Sequence, residues 1–245
     1  MTNVKEQINL GAYLQIYKNN GRPEFVLEQF RKHYPDSPIY LVSDNGDNFL
    51  EISKKYNCRY EHSTINTGVR SGGFVLEEMR EWLRRMKRCF EYCDTEFVIY
   101  LEDDVYVRNK ISINKSQKIA GLYKNQISTS MINYFKNLYN NSQFNIDKYG
   151  ACGGTIYHRD TLLLNFDKMI EIINSHFHHV KHNVCKEFAY LDCTMCVLYM
   201  CLGYQYFLNE NLTETYLIPN WETSFHPIVH LAHDEKQKEI MESLK

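Results

Sequence analysis

Short apolar runs alternate with segments of helical spacing through the first half of the chain, and no other sequence feature restricts the fold as much. The apolar runs predict strands over 11–17, 39–42, 58–60 and 97–101. Apolar residues with helical spacing lie between them and predict helices over 23–33, 47–56 and 74–92. Strands that are separated by helical crossovers form a mainly parallel sheet with helices on both faces. The first half therefore predicts an α/β fold.

The size and charge of the chain exclude several other classes of protein. Its 245 residues are near the upper limit for one α/β domain and too few for two well-formed domains. The formal net charge is -2 and no run of Lys or Arg occurs, which argues against a dedicated nucleic-acid-binding protein. We expect one domain over 1–245, with a polar excursion at 109–149 and a short amphipathic helix at 234–245.

The N-terminal residues contain no apolar core of a signal peptide, and no apolar run is long enough to span a membrane. These features predict a soluble, cytoplasmic protein, although a protein whose membrane anchor was removed would leave the same sequence. The 8 cysteines are then expected to be reduced thiols. Cys193 and Cys196 lie inside an apolar helical segment without further zinc ligands at the usual spacing, and we interpret them as small core residues.

Open parallel sheets bind their ligands at the carboxyl ends of the strands. In this chain that rule indicates Tyr17, Asp44, the polar loop 64–73 and the residues that follow Leu101. Neither a G-x-x-x-x-G-K-[ST] loop nor a G-x-G-x-x-G loop occurs in the sequence. A nucleotide that bound at this edge would therefore need another way of holding its phosphates.

Three carboxylates, Glu102, Asp103 and Asp104, directly follow the most strand-like run of the chain. Adjacent like charges repel one another, and the end of a buried strand cannot solvate all of them. A hard divalent cation would relieve the repulsion, since carboxylate oxygens are the ligands that Mg²⁺ and Mn²⁺ prefer. Side chains alternate along an extended segment, so Glu102 and Asp104 are expected on one side and Asp103 on the other. The alternative interpretation is a solvated acidic turn.

This acidic strand end resembles the D-x-D motif of the GT-A glycosyltransferases, which follows an apolar strand near the middle of the domain. The order of the other features is also similar. Those features are a strand before Tyr17, a strand ending at Asp44, a loop with Arg70, a Gly-rich segment, an acid that opens an apolar helix, and late histidines. The resemblance, which extends to the inverting members, covers most of the chain.

The resemblance implies a single GT-A-like domain with a nucleotide-binding half at about 1–108 and an acceptor half at about 109–233. It implies a metal-dependent enzyme that uses Mn²⁺ or Mg²⁺ and transfers a sugar from a nucleotide-diphosphate donor to a hydroxyl group. A UDP-sugar is the donor that such enzymes use most. The acceptor would be a glycan, a protein or a small molecule, and the excursion 109–149 with the C-terminal segment would shape its pocket.

The resemblance also implies a set of metal-binding residues. Asp104 would bind the metal directly, and Glu102 and Asp103 would contact the ribose or metal-bound water, with Glu102 a further candidate metal ligand. Several GT-A families complete the metal sphere with a histidine from the segment after the last strands. His230 follows an apolar pair and is the first choice for that ligand, and His226 is the second. The alternative for both is a structural histidine at the surface or in the core.

The donor site would take residues from three loops. Tyr17 would stack on the base, Asp44 would accept a hydrogen bond from it, and Arg70 would face the diphosphate or the base. Each has a structural alternative, as a rim aromatic, a turn residue and a surface arginine respectively. Gly153 and Gly154 would let the backbone approach the donor sugar, although a tight turn or a bulge would use the same residues.

One carboxylate opens a strongly apolar helical segment in the second half. In inverting GT-A enzymes an acid at such a helix start is the general base, which implies this role for Asp192, with Glu187 as the second choice. A structural alternative is an acidic partner of the helix N-terminus. Leu191 stands where these enzymes usually have a second acid, so inversion and retention both remain open.

Two other functions fit the same features. A nucleotidyltransferase can share the α/β core and the acidic metal site, but it would be expected to have a Gly-rich, basic phosphate loop near the N-terminus. Gly11-Ala12-Tyr13 is not such a loop. A non-catalytic module that binds carbohydrate or protein could also retain this fold. The intact acids Glu102 to Asp104 and Asp192 argue against it.

Overall fold

The structure is a computed structural model that describes residues 6–18, 21–67, 73–139, 147–214 and 225–231. The strands in these ranges are β1 (Glu6–Gln7), β2 (Leu10–Ile16), β3 (Ile39–Asp44), β4 (Arg59–Ser63), β5 (Phe97–Leu101), β6 (Val105–Val107), β7 (Ser112–Ile113), β8 (Ile119–Gly121), β9 (Asn125–Gln126), β10 (Lys148–Tyr149), β11 (Ile156–His158), β12 (Phe207–Leu208), β13 (Leu212–Glu214) and β14 (Ile228–His230). The helices are α1 (Arg22–His33), α2 (Leu50–Lys55), α3 (Leu76–Tyr92), α4 (Thr129–Tyr139), α5 (Arg159–His179) and α6 (Leu191–Cys201). A π-helical turn (Val180–Val184) and a 3₁₀ turn (Lys186–Ala189) lie between α5 and α6.

The central sheet has seven strands in the order β12-β8-β11-β5-β2-β3-β4. Strand β2 pairs in parallel with both β3 and β5, and β3 pairs in parallel with β4. Strand β11 runs antiparallel to both of its neighbours, β5 and β8. The predicted fold, a mainly parallel α/β sheet flanked by helices, is confirmed.

Both faces of the central strands are buried, which is why their sequences read as continuous apolar runs. Side chains alternate along β2. Ala12 and Leu14 therefore contact the core that contains α1, whereas Tyr13 contacts the core that contains α3, α5 and α6. Cys193 and Cys196 are buried in this second core, as the sequence predicted.

The parallel strands end together at one edge of the sheet. Asp44 at the end of β3 is paired with Ser63 at the end of β4, and Leu101 at the end of β5 is paired with Leu14 of β2. The residues that follow these strands therefore lie near one another, as the rule for parallel sheets predicts. Tyr17 belongs to this group because it follows β2 directly.

A small second sheet, β13-β14-β6, joins the C-terminal part of the described chain to the acidic strand end. In its register, His230 of β14 lies opposite Val105 of β6 and beside Glu214 of β13. The N–H of Leu231 donates a hydrogen bond to the carbonyl of Asp104 at 2.9 Å. This sheet therefore brings the late histidine strand to the residues that follow β5.

Two predicted segments differ from the structure. The helix predicted over 47–56 begins at Leu50. Residues 45–47 form a bend before it, in which the N–H of Asp47 donates a hydrogen bond to the carbonyl of Tyr17. The excursion 109–149 contains the short strands β7 to β10 and the helix α4, and its strand β8 is part of the central sheet. The helix predicted at 234–245 lies outside the described residues. In the described part of the chain, no helix has the length and apolarity needed to cross a membrane.

Candidate functional site

A cavity of about 450 Å³ lies at the carboxyl ends of β2, β3 and β5. Its volume is in the range of pockets that bind small ligands and cofactors. The strand ends, the acidic triplet and the start of α6 all contribute to its wall. The residues that line it are Gln15, Ile16, Tyr17, Lys18, Asp44, Thr67, Phe74, Trp82, Tyr100, Glu102, Asp103, Asp104, Leu191 and Asp192.

Two carboxylates and one imidazole meet beside this cavity. Glu102, Asp104 and His230 each offer a ligand atom, and these atoms all lie within 4.8 Å of one another. The Nε2 atom of His230 is 3.5 Å from Asp104 Oδ2 and 3.8 Å from Glu102 Oε2. One nitrogen and two carboxylate oxygens form a donor set that suits Mn²⁺ or Mg²⁺, so these residues fit a divalent cation.

The pKa values of this cluster are shifted because its charges are close together and enclosed. Burial and the negative charge of Asp104 raise the pKa of Glu102 to about 7. Burial alone would lower the pKa of His230, but hydrogen bonds to Asp104, Cys152 and Glu214 raise it well above its ordinary value. Both shifts favour the protonated forms of Glu102 and His230, and a cation bound there would compete with those protons.

The acid between the two cluster residues faces a different partner. Asp103 lies 3.8 Å from the guanidinium of Arg22 and still lines the cavity. Glu102 and Asp104 lie close to His230, whereas Asp103 is not part of that group. This agrees with the alternation of side chains that we expected for the triplet. Asp103 is therefore placed to contact a ligand in the cavity, not the cation cluster.

The Gly-rich segment packs against the acidic strand end. The N–H of Gly153 donates a hydrogen bond to Glu102 Oε2 at 3.0 Å. A Cβ atom at this position would lie 2.5 Å from the same oxygen, so only glycine permits the contact. Gly154 has a φ of 88°, in the left-handed region that favours glycine. In this structure Gly153 thus holds a candidate metal ligand in place, whereas the predicted contact of both glycines with a donor sugar stays a prediction.

The structure separates the two candidate histidine ligands. His230 lies in the cluster, whereas the ring of His226 stacks on Phe225 with 4.8 Å between ring centroids. The carbonyl of His226 accepts a hydrogen bond from Arg108 Nε at 2.7 Å, which fixes the backbone there. Among the described residues, His230 is therefore the better candidate of the two.

The ends of β2 and β3 form the other part of the cavity wall. Tyr17 is 48% exposed and lines the cavity, so its ring is accessible to a flat ligand. Asp44 also lines the cavity, but it is buried and its Oδ1 atom already accepts hydrogen bonds from the N–H and the hydroxyl of Thr67. Arg70 lies outside the described residues.

A buried arginine that the sequence analysis did not single out organises this part of the wall. Arg85 of α3 is fully buried, and its guanidinium donates to Asp44 Oδ1 at 2.6 Å, Thr67 Oγ1 at 3.0 Å, Gln15 Oε1 at 3.2 Å and Ser63 Oγ at 2.6 Å. Asp44 is therefore first of all the counter-ion of Arg85. Helical spacing could have found Arg85, because Glu78, Trp82 and Cys89 on the same face of α3 are buried as well.

Asp44→Ala is expected to lower the free energy of unfolding by about 3 kcal/mol, because it removes the closest counter-ion of a buried guanidinium. Glu81 lies 3.4 Å from Arg85 Nε and offsets part of the loss. Urea unfolding monitored by circular dichroism measures the change. As a control, Glu77→Ala removes a carboxylate that pairs with Arg84 at the surface and should cost less than about 1 kcal/mol. Equal losses in the two variants would contradict the importance of the buried network.

Aromatic side chains and one carboxylate complete the wall. The hydroxyl of Tyr100 donates to Glu102 Oε1 at 3.0 Å, and the ring of Trp82 packs edge-on against Tyr100 with 5.9 Å between centroids. Within the described ranges, the indole N–H of Trp82 has no hydrogen-bond partner. Trp82, which the sequence analysis also missed, is therefore a candidate donor to a ligand in the cavity.

Asp192 lies in the first turn of α6 and lines the cavity together with the acidic triplet. Desolvation by the surrounding protein raises the pKa of Asp192, while the charges of Lys124 and His230 oppose this shift. Glu187, the alternative acid, accepts a hydrogen bond from the thiol of Cys185 at 2.8 Å and is not among the residues that line the cavity. Of the two acids, Asp192 is the one that faces the cavity.

Comparisons with known proteins identify the fold. No protein-family profile and no curated protein sequence matches the chain. A solved structure of the galactosyltransferase LgtC in complex with donor and acceptor sugar analogues is 14% identical, covers 95% of this chain and 95% of its own, and has a TM-score of 0.51. An active-site mutant of LgtC is 13% identical with the same coverage and has a TM-score of 0.52.

A structure of a fragment of S. aureus TarS in complex with UDP-GlcNAc is 14% identical, covers 66% of this chain and 47% of its own, and has a TM-score of 0.37. This value is too low to inform the fold or the site. Similarity to LgtC, at identities this low, establishes the fold and not the activity. The chain has the fold of the GT-A-type glycosyltransferases.

Proposed function

We propose that the chain is a metal-dependent glycosyltransferase that moves a sugar from a nucleotide-diphosphate donor, probed most directly with UDP-sugars, to a hydroxyl acceptor. The observation that carries the proposal is the cavity that contains Glu102, Asp104 and Asp192, with His230 beside the two strand-end acids. A divalent cation site and a separate carboxylate in one cavity are the groups that this reaction needs. The GT-A fold supports the same conclusion.

Glu102, Asp104 and His230 would hold Mn²⁺ or Mg²⁺. A cation bound there would neutralise the negative charge that develops on the leaving diphosphate. Tyr100 and Gly153 both donate hydrogen bonds to Glu102, so this side chain is held in one orientation before a ligand binds. The sequence has no Gly-rich phosphate loop, and we therefore expect nucleotide binding to depend on the cation.

The nucleotide would lie along the ends of β2 and β3. Tyr17 would stack on the base, and Asp103, which also lines the cavity, would contact the ribose. Gln15, Thr67 and Asp44 are held by Arg85 and would present polar atoms of fixed direction to the nucleoside. Asp44 would accept the predicted hydrogen bond from the base, and Arg85 would hold the Asp44 carboxylate in the required orientation. Arg70, Gly153 and Gly154 keep their predicted donor roles as part of the proposal.

Asp192 would act as the general base. Its raised pKa makes its carboxylate a stronger proton acceptor near neutral pH than an exposed aspartate. It would take the proton of the acceptor hydroxyl while that oxygen bonds to the anomeric carbon and the bond to the diphosphate breaks. With Asp192 as the base, the acceptor oxygen would attack from the face opposite the diphosphate. Such an attack inverts the anomeric centre, and we therefore propose inversion.

The proposal also includes a nucleotide-binding half at about 1–108 and an acceptor half at about 109–233. It further includes a cytoplasmic location. The acceptor would be a glycan, a protein or a small molecule that reaches Asp192 past the segment 109–149. Part of that segment, residues 140–146, lies outside the described ranges. The donor side of the cavity can therefore be tested first.

UDP with Mn²⁺ is expected to raise the melting temperature, whereas UDP in EDTA should have little effect. Ligand at 100 times its dissociation constant stabilises a protein by about 2.7 kcal/mol, which corresponds to about 5–10 °C for a chain of this size. A thermal-shift series with UDP, other nucleotide diphosphates and ATP measures this, and release of free UDP from UDP-sugars then tests transfer. Equal stabilisation in EDTA, or a preference for ATP, would contradict the proposal and favour a nucleotidyltransferase. Binding without any UDP release from a range of sugars would favour a non-catalytic module.

A further inference from the structure

A third carboxylate, Glu214, lies on the far side of the His230 imidazole from Glu102 and Asp104. The Nδ1 atom of His230 is 3.2 Å from Glu214 Oε1, whereas its Nε2 atom faces Asp104 at 3.5 Å and Glu102 at 3.8 Å. Glu214 is 1% exposed, and it stands beside His230 because β13 and β14 pair in parallel register. The imidazole is therefore enclosed by three carboxylates, two that face Nε2 and one that faces Nδ1.

This arrangement selects one form of the imidazole for metal binding. A histidine binds a metal ion through a ring nitrogen that carries no proton. If Nε2 of His230 faces the cation, the proton must remain on Nδ1, and Glu214 Oε1 is in position to accept a hydrogen bond from that Nδ1–H group. Carboxylates that accept the second N–H of a metal-binding histidine fix its tautomer and orientation and increase its basicity.

Lys124 places a positive charge beside this buried carboxylate. A buried carboxylate is costly unless a positive charge or hydrogen bonds compensate it. The Nζ atom of Lys124 lies 3.0 Å from Glu214 Oε1, and about a third of the lysine side chain remains exposed (32%). The Lys124 ammonium thus compensates the burial of the Glu214 carboxylate from the side away from the candidate cation site.

A second group of candidate metal ligands, which includes a thiol, lies on the other side of His230. Cys152, Glu214 and His230 have ligand atoms within 4.8 Å of one another. A cation seated among them would compete with the ammonium of Lys124 for Glu214 and would take Nδ1 of His230. The side with Glu102 and Asp104 has two carboxylates and faces the cavity, so a cation is expected there.

We infer that Glu214 is a positioning residue that fixes His230, through Nδ1, in the orientation and tautomer that present Nε2 to a divalent cation. The inference rests on the proposed metal site. It adds to that site a residue, Glu214, that does not line the cavity. Glu214 itself would not touch the cation, the nucleotide or the sugar. Its effect should therefore pass entirely through His230.

Titration of the purified chain with Mn²⁺ alone, with free Mn²⁺ followed by electron paramagnetic resonance, tests this inference without any transfer reaction. Glu214→Ala should weaken Mn²⁺ binding by about 10- to 100-fold. Glu214→Gln keeps an acceptor oxygen without the charge and should restore part of the affinity. Glu210→Ala, which removes an exposed acid of the same segment, is the matched control and should leave the affinity unchanged.

A double-mutant cycle separates positioning from a general charge effect. His230→Ala removes the group through which Glu214 acts, so adding Glu214→Ala to it should cause no further loss. The same loss in both backgrounds would overturn the inference, as would wild-type affinity in Glu214→Ala. A Co²⁺–thiolate charge-transfer band that disappears in Cys152→Ser would also overturn it, because the cation would then lie on the Nδ1 side. A wild-type chain that binds no Mn²⁺ would overturn the metal site together with this inference, whereas Mn²⁺ binding without sugar transfer would contradict only the proposed function.

Discussion

Asp104→Asn is expected to reduce sugar transfer by about 10²- to 10³-fold or more, while the chain still folds. The Asp104 side chain is almost fully buried and lies 3.5 Å from His230 Nε2, so its charge acts directly on anything that binds in the cluster. Asparagine has nearly the same shape but no negative charge, and the cation would lose one of its ionic ligands. Removing that charge relieves its repulsion with Glu102 and also weakens its attraction to His230, so the two effects on the stability of the variant oppose each other.

Release of UDP, measured over a range of Mn²⁺ concentrations, tests this expectation. Near-normal turnover of Asp104→Asn at limiting Mn²⁺ would show that Asp104 is not a metal ligand. Asp160→Asn is a matched control, since Asp160 pairs with Arg159 away from the cavity and is 64% exposed. His230→Ala should raise the Mn²⁺ concentration needed for activity, whereas His226→Ala should not, because only His230 lies in the cluster.

Asp192→Asn is expected to abolish transfer, with a loss of about 10²- to 10⁴-fold, and to leave binding of UDP and Mn²⁺ intact. A general base acts on the acceptor alone, so the donor side of the cavity should not be affected. If Asp192 instead only stabilised the N-terminus of α6, its loss would cost about 1 kcal/mol of stability and activity would be retained below the melting temperature. Turnover and UDP affinity of the same variant therefore distinguish the two roles.

Glu187→Gln is the matched control for this experiment. Glu187 lies shortly before α6 but does not line the cavity, so its variant should remain active. If Glu187→Gln lost activity and Asp192→Asn did not, the assignment of the base would be reversed. The product supplies an independent check, since a base on the face opposite the diphosphate requires an inverted anomeric centre. Nuclear magnetic resonance that showed an α-glycoside from an α-linked donor would contradict inversion even if Asp192 were essential.

The fold and the acidic strand end could be predicted from the sequence because both depend on local patterns. An apolar run such as 97–101 has to be buried on both faces, and a helix such as 74–92 shows its buried face in its spacing. Glu102, Asp103 and Asp104 are adjacent in the chain, so their repulsion is apparent without coordinates. The sites of Tyr17 and Asp44 followed from a rule about where parallel strands end.

The tertiary structure decided which distant residues join these acids. The sequence ranks His230 ahead of His226 only because an apolar pair precedes it, and the pairing of β14 with β6 and β13 brings His230 to Asp104. Glu214 looks like an ordinary surface charge in the sequence. The spacing of α3 indicates that Arg85 is buried, but the partners of both residues come from other strands and loops. The burial of a charge and the direction of a hydrogen bond depend on contacts between residues that are far apart in the sequence. Such contacts cannot be read from the order of the residues. The sequence by itself thus determined the sheet and its acidic edge, and only folding determined how the charged side chains around that edge are paired.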